Sequence, residues 1–103
     1  MHNPSHRLNW ARVLEYNHVS LDFIRNHLHS VRNNWDEICR YQNIADDKFL
    51  EEFSDLINFK LVSRYQKLSI RQISAFRNKL DFSIIQNYQK IPAYVISEIK
   101  PKM

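Results

Sequence analysis

One phrase is written four times in this chain. "NWARVLEYNHVS" from Asn9, "NWDEICRYQNIA" from Asn34, "NFKLVSRYQKLS" from Asn58 and "DFSIIQNYQKIP" from Asp81 overlay residue for residue. The aromatic near the start of each copy stands at Trp10, Trp35, Phe59 and Phe82, at spacings of 25, 24 and 23 residues. A period of that length marks a helical array whose units cannot bury their apolar faces alone. It divides the chain into units at approximately 8–33, 34–57, 58–80 and 81–100, with flexible ends expected at 1–7 and 101–103. All of it is read as one domain, because 103 residues suffice for a single core and leave no room for a second module.

The internal grammar of each copy is helical. Three residues after the aromatic comes a β-branched side chain (Val13, Ile38, Val62, Ile85), and six after it a tyrosine (Tyr16, Tyr41, Tyr65, Tyr88). On a helix those offsets sweep about 120° of the circumference, so the tyrosines are expected in the buried stripe rather than outside as stacking platforms. Before the aromatics stand Asn9, Asn34, Asn58 and Asp81, whose side-chain oxygens suit the free amides of a first helical turn. After the tyrosines come amides (Asn17, Gln42, Gln66, Gln89), expected to satisfy carbonyls at the end of the first helix, and then a turn-plugging aliphatic (Val19, Ile44, Leu68, Ile91).

A second helix should follow in each unit. Ser20 and Ser69 suit N-caps, Ser69 with Gln72 forms a capping box, Pro92 opens the fourth copy, and Asp46 or Asp47 replaces Ala45 as the cap of the second. Ile24, Phe49, Ile73 and Ile96, followed by Leu28, Phe53, Phe76 and Ile99, mark its apolar face. Helices of about eight to ten residues are marginal in isolation and persist only where neighbours share their faces. The expected fold is therefore all-α: four short helix-turn-helix repeats of about 24 residues packed as a small solenoid or compact helical bundle.

Glycine is absent, which removes phosphate-cradling loops, the dinucleotide fingerprint and the nucleophile elbow. Asparagine is the next most tolerant residue of left-handed geometry, so Asn17, Asn33, Asn43, Asn78 and Asn87 are candidates to end helices. The lone Cys39 lies in an apolar helical pattern and reads as a small buried hydrophobe. His2, His6, His18, His27 and His29 lack a metal-ligand spacing, and residues two apart on a helix cannot clamp one ion. No metal, cofactor or catalytic activity is expected. There is no apolar run of membrane-spanning length and no signal-peptide pattern, so the expectation is a soluble, cytoplasmic protein without membrane contact.

The pattern Asn/Asp-Trp-x-x-Ile-x-x-Tyr-Gln-x-Leu-Ser, then Phe-Ile-x-x-Phe, clearest in "RYQKLSIRQISAF" and "NNWDEICRYQN", resembles short helical repeats of uncharacterised bacteriophage and giant-virus proteins. The likeness spans roughly residues 8 to 100. It departs at Asn17 in place of glutamine, Phe59 and Phe82 in place of tryptophan, and Ala45 and Pro92 in place of serine. The resemblance implies a viral source and no catalytic motif. The abundance of Asn, Ile, Lys, Phe and Tyr also suits an AT-rich genome.

Charge is unevenly distributed. Residues 33–56 carry two basic against seven acidic side chains, a balance of −5, while residues 57–79 carry six basic and none acidic, within a total of +4. A strongly acidic segment does not suit continuous phosphate tracking, so the leading expectation is a protein-protein interaction module. If viral, it would bind and inhibit a host factor such as a defence nuclease. Arg64, Lys67, Arg71 and Arg77 would face an acidic partner surface, and Asp47, Glu51 and Glu52 a basic one, with head-to-tail self-association of the opposite-charge units as a further option. The alternative is helix-turn-helix binding of duplex DNA, with Ser69 to Lys79 as recognition helix carrying Arg71, Gln72 and Arg77.

Overall fold

A computed structural model describes residues 8–101. Among them the chain forms nine helices and no strand: α1 Trp10–Tyr16, α2 Leu21–Asn26, α3 Leu28–Val31, α4 Trp35–Tyr41, α5 Asp47–Glu52, α6 Phe59–Tyr65, α7 Ile70–Ala75, α8 Phe82–Tyr88 and α9 Ala93–Ile99. None is long and apolar enough to cross a membrane. The end residues 1–7, 102 and 103, including His2 and His6, lie outside the described residues.

The helices start where the cap residues stand. Asn9, Asn58 and Asp81 accept hydrogen bonds from first-turn amides, Ser20 from Phe23 and Asp46 from Phe49. Ser69 and Gln72 form the reciprocal capping box, which satisfies two amides that the helix itself cannot. Asn34 departs from this pattern. The preceding α3 ends so close that the Asn34 amide donates to the Val31 carbonyl at 2.8 Å, and its side chain instead donates to Glu37 at 3.0 Å. Its ψ of 25° keeps the backbone out of the extended geometry that the other asparagine caps adopt.

Helix ends correct a second expectation. No described residue has positive φ, so none of the five asparagines serves as a left-handed terminator. The four first-position helices stop instead in extended C-caps, Asn17, Gln42, Gln66 and Gln89, with ψ from 139° to 155°. A chain that leaves its helices through extended backbone has no need of glycine at the turn.

Helix α1 packs on α4, α4 on α6 and α6 on α8. Their buried residues merge with those of the second helices into one apolar cluster that includes Leu14, Ile24, Ile38, Phe49, Val62 and Ile73. Within a unit the opening aromatic meets the aromatic of its own second helix: Trp35 lies 5.2 Å from Phe53 and 6.0 Å from Phe49, and Phe59 6.2 Å from Phe76, centroid to centroid.

The tyrosines are not part of this core. Tyr16, Tyr41, Tyr65 and Tyr88 are 71, 41, 41 and 53 % exposed. The physical reason is a rotation of the buried stripe. Offsets of zero, three, four and seven from the aromatic lie within about 100° of one another, and the fourth and seventh positions are what the neighbouring helix covers: Leu14, Cys39 and Ser63, then Gln42 and Gln66. Offset six falls outside that arc and faces solvent.

The buried glutamines hold adjacent units together. The Gln42 side-chain amide donates to the carbonyls of Leu14 and Asn17, both at 2.6 Å, and its oxygen accepts from the Val19 amide at 2.9 Å. One unit on, Gln66 donates to Cys39 and Gln42 at 2.8 and 2.6 Å and accepts from Ile44 at 2.9 Å. Gln89 donates to Ser63 and Gln66 at 2.9 and 2.7 Å and accepts from Leu68 at 3.5 Å. The carbonyls satisfied are thus those of the preceding unit, where an uncapped helix end would otherwise be buried. Asn17 is the exception: its shorter amide donates to its own helix at Val13, 3.1 Å away.

Candidate functional site

The residues singled out by charge do not form one site. Arg71 pairs with Asp47 at 2.7 Å. Gln72 is buried and donates to the Ala45 carbonyl at 2.9 Å and to Asp47 at 3.1 Å. The Arg71 guanidinium, and then the Gln72 amide, hold the Asp47 carboxyl below the usual carboxylate range. Glu52 accepts from Arg25 at 3.0 Å. Glu51 is exposed on α5, and Arg77 lines a shallow cleft with Asn78, Glu98 and Lys100.

The Gln72 amide is engaged inside the fold, and the exposed Arg71 stands beside the Asp47 carboxylate. Asp47 and Glu52 each meet a basic side chain of a neighbouring unit within the chain.

A different edge brings chemistry together. The exposed tyrosines end α1, α4, α6 and α8, and two of those helices carry an arginine immediately before the ring. The Arg40 guanidinium lies 5.6 Å from the Tyr65 centroid, and Arg64 lies 4.9 Å from Tyr65 and 4.7 Å from Tyr88. Arg40, Tyr65, Arg64 and Tyr88 therefore run as an alternating ladder across three units. Cation–π contacts of this kind fix the guanidinium plane while leaving its edge N–H groups free to donate.

The ladder borders a cleft of about 370 Å³ whose lining includes Arg64, Tyr65, Lys67, Tyr88 and Lys90 and no acidic residue. Lys67 and Lys90 hold equivalent places in the turns of the third and fourth units. Unlike Arg25 and Arg71, none of Arg40, Arg64, Lys67 and Lys90 has a salt-bridge partner among the described residues. The acids nearest this edge in sequence are Glu15, beside Tyr16, and Asp36 and Glu37 in the first turn of α4, about one turn before Arg40. Positive charge thus concentrates from the end of α4 to the turn after α8.

Arg64 and Lys67 stand among the candidates read from the sequence; Arg40 and Lys90 do not, and the tyrosines, weighed there as stacking platforms, are assigned to the core instead. The signal lay in the offsets: with Leu14, Cys39 and Ser63 at the fourth place and glutamine at the seventh, the buried arc was already filled. Cys39 is fully buried, and burial pushes its thiol up to about 11, which leaves it without thiolate chemistry at neutral pH. No protein-family model matches the chain, and comparison with curated proteins and with solved structures gives no match.

Proposed function

We propose that this chain is a non-catalytic interaction module: four helical units stacked as a short solenoid, holding an elongated anionic ligand along the Tyr–Arg edge. The observation that carries this reading is the ladder itself, in which Arg40 and Arg64 lie against tyrosine rings and have no salt-bridge partner among the described residues. Stacking limits the side-chain entropy lost on binding, and tyrosine and arginine are the residues that dominate binding surfaces energetically. The succession of α1, α4, α6 and α8 as neighbours supports the stacked arrangement, as does the recurrence of one glutamine bridge per junction.

An acidic segment of a partner protein, such as a host factor met by a viral inhibitor, has the required charge. The test is a titration of the isotope-labelled chain followed by amide shifts, with poly-glutamate and with a short oligothymidylate. Perturbations confined to residues around Tyr41, Tyr65 and Tyr88, and lost in the Arg64→Glu/Lys67→Glu variant, are expected for at least one polyanion. Perturbations centred on α5 and α7, or none with either, would end this reading.

A further inference from the structure

Resting on that reading, we propose that the anionic ligand is single-stranded nucleic acid, held with its bases against the tyrosines of the second, third and fourth units and its phosphates against the neighbouring cations. Three features favour a strand over an acidic peptide. The aromatic rings recur once per unit in one register, at Tyr41, Tyr65 and Tyr88, each at least 41 % exposed; planar bases stack on such rings, and on guanidinium planes like those laid over Tyr65 and Tyr88, with little regard to sequence. The cations recur beside them, with Arg40 and Arg64 in equivalent helix positions and Lys67 and Lys90 in equivalent turn positions, so each of the three rings has at least one cation from its own unit, as a backbone with one charge per nucleotide can use. The cleft between Tyr65 and Tyr88 is lined by Arg64, Lys67 and Lys90 beside Leu68 and Ile91, with no carboxylate, as a phosphate requires.

Geometry also separates single from double strands. Packed helices lie about 8–10 Å apart, while bases in a duplex stack at about 3.4 Å and hide their faces from an outside ring. Only a strand whose bases can splay will offer one face to each successive tyrosine. Glu15 beside Tyr16 bounds the footprint at the first unit, so the bound stretch runs from Tyr41 to Lys90.

The experiment uses the full chain and fluorescence anisotropy of a labelled oligothymidylate, a duplex of equal length and a labelled poly-glutamate, at about 50 and 200 mM salt. The expected result is micromolar binding of the single strand that weakens roughly 50-fold between the two salts, the slope for about four phosphate contacts on a single strand. Replacing Tyr88 by alanine should weaken it at least about fivefold, and Arg64→Glu more, while Arg71→Gln leaves it unchanged; circular dichroism confirms that each variant is folded. Equal or tighter binding of the duplex, or dependence on Arg71, overturns the proposal. Binding of poly-glutamate but not of the oligonucleotide overturns it too while leaving the interaction-module reading intact, whereas binding of none of the three removes both.

Discussion

Gln66 shows how much structural work one polar side chain does here. It is 5 % exposed, donates to two carbonyls of the preceding unit and accepts from the Ile44 amide. Its removal strands three backbone groups in a region water enters poorly, so Gln66→Ala should cost about 2–4 kcal/mol in denaturant unfolding. Gln66→Glu is the sharper probe. A carboxylate there faces two carbonyl oxygens and can donate to neither, so its folded-state pKa rises above the unfolded value. Protons are then bound preferentially by the folded form, and the variant should gain stability relative to the parent as pH falls from 7 to 5. Asn17→Gln should change little, since the exposed Asn17 amide bonds only to Val13 of its own helix among the described residues.

At the scale of helices, what could be read from the chain was whatever local chemistry decides. Caps at Asn9, Asn58, Asp81, Ser20 and Ser69 are set by a side chain and amides two or three residues away, and the apolar face of the second helices follows from their own period except at Leu28, which lies in the separate α3 and is 37 % exposed. What local chemistry does not decide was read wrongly. The orientation of the tyrosines depends on which arc of α4 and α6 the neighbouring helices cover, and Asn34 lost its cap role to the close approach of α3. The direction in which the glutamines reach, back to the previous unit rather than within their own, is likewise a property of the junction. Ser69→Ala should cost about 1 kcal/mol through the capping box, and Trp35→Ala about 3–5 kcal/mol through the cavity left between Phe49 and Phe53, both by denaturant unfolding.

Acid should act on the same elements. The Asp81 carboxyl is held below its usual value by the Ser83 hydroxyl and the Ile84 amide, and Asp47 by Arg71 and Gln72. A carboxylate whose folded pKa is depressed contributes stability that is fully present above its unfolded value of about 3.9 and disappears as pH falls through the folded one. The unfolding midpoint should therefore drop below about pH 4, and the Asp47→Asn/Asp81→Asn double variant should show a shallower drop over that window.

The proposed linear stacking makes stability a sum of unit and junction contributions rather than a single cooperative quantity. Each junction holds one turn amide by a glutamine oxygen: Val19 by Gln42, Ile44 by Gln66 and Leu68 by Gln89. Ile44 is fully buried and held at 2.9 Å, whereas Leu68 is held at 3.5 Å and the Ile91 amide, among the described residues, has only the Gln89 carbonyl two residues back. Protection against hydrogen exchange reports the free energy of the smallest opening that frees each amide. Native-state exchange should find Ile44 the slowest of the four, Val19 and Leu68 faster, and Ile91 the fastest, with Gln66→Ala collapsing Ile44 toward its neighbours. Equal protection at all four would show instead that the helices open as one body, and the solenoid would then have to be replaced by a single cooperative bundle.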